Sequence, residues 1–156
     1  MSLKVGDKVP NFSAKDQHGT NFIWDEHLGK PIVLYFYPKD DTPGCTAQAC
    51  GFRDEYEDFK ELGAEVIGVS GDSEKTHTKF AQKYKLPFIL LSDQDKNLRK
   101  LFGVPTNLLG LLPGRVTYII NAEGTLVYIY NNMSAKNHVS IAKDKVKEIF
   151  KDFKNK

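Results

Sequence analysis

The sequence predicts an α/β fold in which helices flank a central mixed β-sheet and an N-terminal β-hairpin precedes the sheet. The first observation is a strand of the buried type, residues 32–37 (IVLYFY), after which helical and strand-like patterns alternate. The second is a hairpin composition that ends this alternation before a closing helix. With 156 residues and 40% hydrophobic content, the chain is expected to form a single domain, residues 1–156, with its own core.

The first predicted elements are the hairpin and the central strand. In residues 11–22, short apolar stretches flank the polar turn DQHG at residues 16–19, where Gly19 can take a positive φ. Residues 32–37 are β-branched and aromatic without alternation, which is typical of a strand that is buried on both faces. Pro38 is expected to end this strand.

A helix is predicted over residues 46–62, because apolar side chains recur there at every third or fourth position. Gly63 is placed to end it. Cys45 therefore lies close to the first turn of this helix. A strand is then predicted over residues 65–70, where the composition again favours buried β-structure.

The next helix is predicted to end near Lys85. Either Asp72 or Ser73 can cap its first turn, since both side chains accept hydrogen bonds from backbone N–H groups. Pro87 marks the boundary that follows.

A short strand over residues 88–91 and a short helix over residues 95–102 are predicted next, and Gly103 is placed to end this helix. Residues 104–114 are rich in Leu, Gly and Pro and are interpreted as a loop. This loop is too short and too apolar to be a hinge between two domains.

Two further strands are predicted over residues 116–120 and 126–130, joined by the turn composition NAEG at residues 121–124. A last helix begins at about Val139. Parallel strand pairing is therefore expected first and antiparallel pairing afterwards, which is the order of a thioredoxin-like fold.

Composition and charge exclude several classes of function. The 22 basic residues nearly cancel the 20 acidic ones, so a net charge of +2 gives no sign of a nucleic-acid partner. No apolar run is long enough to cross a bilayer, and no membrane partner is predicted. Two cysteines are too few for the disulfide framework of a small secreted domain. We expect a cytoplasmic protein of a reducing compartment, or of a plastid if a transit peptide has been removed.

The most informative stretch is YPKDDTPGCTAQAC, residues 37–50. A buried strand delivers Cys45 to the start of a helix, where unpaired N–H groups and the helix dipole stabilise an anion. The thiolate is the reactive form of cysteine, so this position favours a nucleophile. A free cysteine can also be a small buried hydrophobic residue, and Pro43 and Gly44 suit any helix start. The position therefore leaves both interpretations open.

The spacing of Pro38, Thr42 and Cys45 resembles the active-site signature of the peroxiredoxins. The segment TPGCTAQAC is similar to the bacterioferritin-comigratory or Q-type branch, and the resemblance extends from VGDKVPNF to LLPGRVTYII. It implies a thiol peroxidase in which Cys45 is the peroxidatic cysteine and Cys50 resolves its oxidised form. It also implies that Thr42 hydrogen-bonds the peroxide or the thiolate, that Pro38 shields the site and that Arg115 supplies positive charge.

The spacing of Cys45 and Cys50 raises a geometric problem. Along an α-helix, five residues correspond to about 7.5 Å of rise and to side chains about 140° apart. A disulfide requires Cα atoms within roughly 7 Å of each other. Oxidation is therefore expected to unwind the first turns of the helix, which the family resemblance also implies. The same resemblance implies peroxide as the substrate and thioredoxin or a glutaredoxin-like dithiol as the reductant.

Two positions depart from the family pattern: Gln48, where an acid is expected, and Asn121, where aspartate is usual. Neither is expected to touch the sulfur chemistry directly. The histidines are isolated in the sequence and are expected on the surface or in loops: His18, His27, His77 and His138. With two cysteines they supply no recognisable tetrahedral set, so no metal and no other cofactor are predicted.

Two alternative functions remain open at this point. A thioredoxin-like disulfide oxidoreductase is the nearest, but it uses Cys-x-x-Cys, whereas four residues separate Cys45 and Cys50. A redox-sensing or binding module is the other, because a fold does not determine a function. An intrachain pair removes the need for a partner subunit in resolution, which favours a monomer. The apolar residues 104–112 suggest a pocket that tolerates organic hydroperoxides.

Overall fold

The fold is built on a mixed β-sheet, described for residues 2–107 and 112–154 in a computed structural model. The strands are β1 (Ser13–Asp16), β2 (Asn21–Ile23), β3 (Ile32–Phe36), β4 (Glu65–Ser70), β5 (Ile89–Ser92), β6 (Thr106–Asn107), β7 (Leu112–Pro113), β8 (Val116–Ile120) and β9 (Leu126–Asn131). Seven of them form one sheet in the order β2-β1-β5-β4-β3-β8-β9, and β6 pairs with β7. The helices are α1 (Pro43–Asp54), α2 (Tyr56–Glu61), α3 (Glu74–Tyr84), α4 (Asn97–Phe102) and α5 (His138–Lys154).

The pairing agrees with the thioredoxin-like order that the sequence predicts. Strand β4 runs parallel to both β3 and β5, whereas β8 runs antiparallel to β3 and to β9. Connections through helices produce the parallel part, and the tight turn between β8 and β9 produces the antiparallel part. The mixed sheet with flanking helices and an N-terminal hairpin is therefore confirmed.

Strand β3 separates two hydrophobic cores. Ile32, Leu34 and Phe36 face one core, whereas Val33 and Tyr35 face the other. All five side chains are fully buried, because helices or loops cover both faces of the sheet. This explains why the strand shows no alternation of apolar and polar residues.

The helix that the sequence predicts over residues 46–62 is two helices, and the prediction of one continuous helix is wrong. Helix α1 begins at Pro43, because proline suits a first helical position, and it ends at Asp54. The backbone leaves helical geometry at Glu55, with φ −99° and ψ 3°. Apolar spacing continues across this break, so periodicity alone does not reveal it.

The N-terminal hairpin is confirmed, and it joins the main sheet. Gly19 takes a φ of +76°, and Asp16 accepts hydrogen bonds from two backbone N–H groups of the turn. Strand β1 also pairs antiparallel with β5, which lies far away in the sequence. A short 3-10 helix at Trp24–His27 follows the hairpin and is absent from the sequence prediction.

The predicted loop over residues 104–114 contains the short strands β6 and β7, so its interpretation as a loop is wrong at those positions. The part over residues 108–111, and with it the suggested pocket for organic groups, lies outside the described residues. Ser73 caps α3 by accepting from the backbone N–H of Thr76, which resolves the choice between Asp72 and Ser73. Among the helices described, none is sufficiently long and apolar to span a bilayer.

Candidate active site

Cys45 lies in the first turn of α1, at the end of the sheet where β3 finishes. Its side chain is only 2% exposed. Thr42, the residue that precedes the helix, makes no side-chain capping bond, so the first N–H groups of α1 keep their capacity to stabilise an anion. The Thr42 hydroxyl instead donates to the carbonyl of Lys39 at 2.8 Å. Cys45 thus lies at a helix start whose N–H groups can bind an anion, in the position that the sequence predicts.

The structure brings Arg115 to Cys45. Val116 pairs with Phe36 in the antiparallel contact of β8 with β3, so the residue before β8 lies beside the start of α1. Arg115 Nη2 donates to Cys45 Sγ at 3.5 Å, and the arginine side chain is 5% exposed. A buried guanidinium at this distance stabilises a thiolate and any negative charge that develops next to it.

Gln48 and Met133 hold the guanidinium in place. Arg115 Nη1 donates to Gln48 Oε1 at 2.5 Å, and Nε donates to the Met133 carbonyl at 2.9 Å. Gln48 was expected to play no direct part, yet it lies three residues after Cys45 and therefore on the same face of α1. That spacing is the sequence signal by which its role could have been found. Because the amide is neutral, Gln48 orients Arg115 without cancelling its charge.

Gly44 makes room for Arg115. A Cβ atom on Gly44 would lie 3.1 Å from Arg115 Nη2, closer than ordinary van der Waals contact allows. Any larger residue at this position would have to displace the guanidinium by a few tenths of an ångström, so Gly44 favours its close approach.

Gly44→Ala is expected to slow the alkylation of Cys45 at neutral pH by roughly threefold to tenfold, because a displaced guanidinium stabilises the thiolate less. The measurement is the reaction rate with iodoacetamide in a Cys50→Ser background, which leaves Cys45 as the one thiol. Gly51→Ala is the matched control in the same helix, since its methyl group would meet Val139 Cγ2 at 3.0 Å. Equal rates for the two variants would contradict the role of Gly44.

Cys50 lies in the same continuous helix as Cys45, and both thiols are free. The expected geometry of the reduced state is thus present. Cys50 is half-buried, whereas Cys45 is buried. A separation of five helical positions places the two sulfur atoms on different faces of α1, so a bond between them requires a change in the helix.

The expectation that all histidines lie on the surface or in loops is wrong for two of them. His77 lies within α3 and His138 begins α5, and both are fully buried. Each occupies the inward face of an amphipathic helix, a pattern that the spacing of His77 and Phe80 could have indicated. His18 is exposed, as expected, and His27 stacks on Phe22 with ring centroids 4.2 Å apart.

His77 anchors the loop between β3 and α1 by binding Asp40. His77 Nδ1 lies 2.6 Å from Asp40 Oδ2, and Tyr37 donates its hydroxyl to Asp40 Oδ1 at 2.5 Å. Burial and the neighbouring Asp40 raise the pKa of Tyr37 well above its ordinary value, so the phenol stays protonated and remains a donor. The ligand atoms of Asp40, Asp72 and His77 lie within 4.8 Å of one another, a grouping that the sequence spacing does not suggest.

His138 supports the turn that positions Arg115. Its Nε2 donates to the carbonyl of Asn132, the residue before Met133, and its Nδ1 lies 2.7 Å from Thr117 Oγ1. In the neutral ring, Nδ1 accepts from the threonine hydroxyl. Burial lowers the pKa of His138, and the charge of Arg115 lowers it further.

His138 is expected to make the protein less stable in acid. Because its pKa is lowered in the folded state, its contribution is fully present above the unfolded value of about 6.5 and is lost as the pH falls below it. The free energy of unfolding should fall by up to about 1.4 kcal/mol per pH unit from this group. Denaturant titrations between about pH 7 and pH 5 measure the slope.

His138→Gln should reduce this slope, because glutamine does not titrate, while the exposed control His18→Gln should keep it. An identical slope in His138→Gln and in the unmodified protein would show that His138 does not contribute.

Comparisons with known proteins match this chain along most of its length. A family model described as the AhpC/TSA family matches residues 5–129. The chain is 57% identical over 130 residues to the chloroplastic peroxiredoxin Q of Triticum aestivum, which covers 83% of this chain and 60% of that protein. Identity to the peroxiredoxin Q of Sedum lineare is 55% over 127 residues, covering 81% of this chain and 68% of that protein. The chain thus spans about three fifths to two thirds of the length of these relatives.

Solved structures give the same result. Peroxidoxin BcpB from Mycobacterium tuberculosis superposes with a TM-score of 0.87 at 35% identity, covering 94% of this chain and 98% of that one. The bacterioferritin comigratory protein of Xanthomonas campestris gives 0.84 at 31% identity, covering 89% and 92%. From the cysteine at the start of α1, the adjacent arginine and these matches, it follows that the chain belongs to the AhpC/TSA family of peroxiredoxins.

Proposed function

We propose that this chain is a thiol-dependent peroxidase that reduces hydrogen peroxide and organic hydroperoxides. The observation that carries the proposal is the 3.5 Å contact of Arg115 Nη2 with Cys45 Sγ at the start of α1. A helix N-terminus and a buried guanidinium meet at one sulfur atom, which is the arrangement that a nucleophilic thiolate requires.

In the first step, the Cys45 thiolate attacks one oxygen of the peroxide. An S–O bond forms, the O–O bond breaks, and the departing oxygen takes up a proton as an alcohol or as water. Arg115 stabilises the negative charge that develops on the departing oxygen. Cys45 is left as a sulfenic acid.

In the second step, the Cys50 sulfur attacks the Cys45 sulfenic acid. A disulfide forms and one molecule of water leaves. Thioredoxin or a similar dithiol then reduces the disulfide by thiol exchange, which returns both cysteines to the free state. Because resolution takes place within one chain, we propose a monomer, with residues 1–156 acting as one domain in a reducing compartment such as the cytoplasm or a plastid.

Thr42 and Pro38 complete the proposed site. The Thr42 hydroxyl donates to Lys39, so its oxygen is free to accept a hydrogen bond from the O–H group of a peroxide. Pro38 is half-buried two residues after the end of β3, where it can limit the access of water to the sulfur. Support for organic substrates comes from the Xanthomonas campestris relative, whose structure was described in terms of alkyl peroxide reduction.

The decisive experiment is steady-state peroxide consumption with thioredoxin as the electron donor. Turnover of hydrogen peroxide and of an alkyl hydroperoxide supports the proposal. Reduction of insulin disulfides without peroxide consumption would instead support a disulfide oxidoreductase. Stoichiometric oxidation without turnover would support a redox sensor.

Oxidation is expected to speed amide hydrogen exchange in residues 42–52 by at least about tenfold, because the disulfide cannot form while α1 is intact there. The comparison is between reduced and peroxide-treated protein. Cys50→Ser should abolish the difference and accumulate sulfenic or over-oxidised Cys45. Full protection of these residues in protein that carries the Cys45–Cys50 disulfide would contradict unwinding.

A further inference from the structure

We propose that α3 holds the chain on both sides of residues 42–52 while the disulfide forms. Only the segment between these attachments then unwinds. The inference rests on the proposed function and assigns positioning roles to His77, on α3, and to Arg53, at the end of α1. The argument starts from the contacts that precede the segment and then moves to those that follow it.

Before the segment, Asp40 is held by hydrogen bonds to three other residues. Its carboxylate is fully buried and binds His77 Nδ1 at 2.6 Å and the Tyr37 hydroxyl at 2.5 Å. Its backbone N–H donates to Asp72 Oδ2 at 2.8 Å. These partners lie in α3, in the residue after β3 and in the loop after β4, so the position of Asp40 does not depend on α1.

The pair of His77 and Asp40 is neutral overall. His77 Nε2 lies 2.9 Å from the carbonyl of Leu91 and must therefore donate its proton there. The contact of Nδ1 with the carboxylate then needs a second proton, which the two groups share. The shared proton thus lets His77 hold the loop before α1 without leaving an uncompensated charge on Asp40.

Asp41 is held to the far end of the same helix. Its φ is +58°, a left-handed conformation that is unfavourable for a residue with a side chain and that needs external contacts to persist. Lys83 Nζ and the Tyr84 hydroxyl supply them, each at 2.9 Å from the carboxylate. Two consecutive residues of the loop are therefore attached to α3, one in the interior and one at the surface.

After the segment, Arg53 attaches the chain to the C-terminal end of α3. Arg53 Nη1 donates to the Tyr84 carbonyl at 2.7 Å. Beyond the break in the helix, Lys143 of α5 binds both Glu55 and Asp58 at 2.6 Å. The chain is thus attached again immediately after the last residue that must move.

Between these attachments the segment makes few polar side-chain contacts, and its inward face is held by packing: Ala49 and Phe52 are buried in the core, and Phe52 stacks on Tyr35 with ring centroids 4.6 Å apart. In the part of the chain that the structure describes, the side chains of residues 43–52 make hydrogen bonds only through Gln48 and Cys45, and both bonds go to Arg115. Oxidation of Cys45 changes one of these two bonds directly. Because hydrogen bonds to other elements fix the chain on both sides of this stretch, its packing can open without displacing the residues beyond those attachments.

The test forms the disulfide with diamide, whose azo group accepts two electrons and two protons from the thiols, so that it does not depend on peroxide turnover. Amide exchange is then compared between the reduced and disulfide forms of each variant. In the unmodified protein, faster exchange in the disulfide form should be confined to residues 42–52. In Arg53→Ala it should extend through Asp54 and Glu55 by at least about tenfold, the factor that one lost hydrogen bond corresponds to.

Two controls separate this role from general destabilisation. Arg53→Lys keeps a donor for the Tyr84 carbonyl, so faster exchange should again end at residue 52. Lys60→Ala, on the exposed face of α2, should leave that limit unchanged. A purely structural role would change exchange equally in both redox forms. The proposal is overturned if the disulfide form of the unmodified protein already exchanges rapidly in α2, or if Arg53→Ala keeps the original boundary.

The attachment before the segment is tested in the same way. His77→Gln should extend faster exchange to Asp40 in the disulfide form. If this variant does not fold, the surface pair Lys83→Ala and Tyr84→Phe removes the contacts of Asp41 without opening the core. If faster exchange in the disulfide form still begins at residue 42 in the variant that folds, the proposed role of α3 is contradicted. If faster exchange is confined to residues 42–52 but the protein does not turn over peroxide, the proposed function is contradicted and the role of α3 is not.

Discussion

Cys45→Ser is expected to lower the rate of peroxide reduction by at least about a thousandfold, because the serine hydroxyl is not ionised at neutral pH and cannot replace the thiolate. The fold should persist, since serine is similar in size to the cysteine it replaces. The measurement is the second-order rate of peroxide consumption, with circular dichroism to verify the fold.

Cys50→Ser is the matched control in the same helix. It should keep a rapid first reaction with peroxide and lose only the later turnover, because it lacks the resolving thiol but retains Cys45. Peroxide reduction close to the original rate in Cys45→Ser would reject Cys45 as the nucleophile.

Arg115→Ala is expected to slow the reaction with peroxide by about a hundredfold, the usual cost of removing one donor from a site of developing negative charge. Two effects act in the same direction. The thiolate loses its buried positive neighbour, and the departing oxygen loses the group that stabilises it. The measurements are the ultraviolet absorbance of the thiolate and the second-order rate with peroxide.

Arg115→Lys should recover part of the rate, because lysine retains the charge but cannot contact Gln48, Met133 and Cys45 together. Lys136→Ala removes an exposed charge from the neighbouring turn and should leave the rate within about twofold, since exposed charges are screened. A rate for Arg115→Ala equal to that of Lys136→Ala would show that the guanidinium has no catalytic role.

Sequence patterns alone predicted the order of the main strands and helices and the position of Cys45 at a helix start. An unbroken apolar strand followed by Pro43, Gly44 and Cys45 predicts a cysteine at a helix start, and the structure has that arrangement. Such features depend on neighbouring residues, because caps, turns and periodicity act over a few positions of the chain. The break at Glu55 escaped prediction because the apolar period continues through it.

Only the tertiary structure decided which distant residues meet. Arg115 and Cys45 lie 70 positions apart and come together because β8 pairs antiparallel with β3. The same packing directs Gln48 to Arg115 and buries His77 against Asp40, which is 37 positions away. No local sequence pattern specifies contacts between residues so far apart in the chain. They arise when the sheet and the helices bury their apolar faces together, and that packing fixes the partner of each polar side chain.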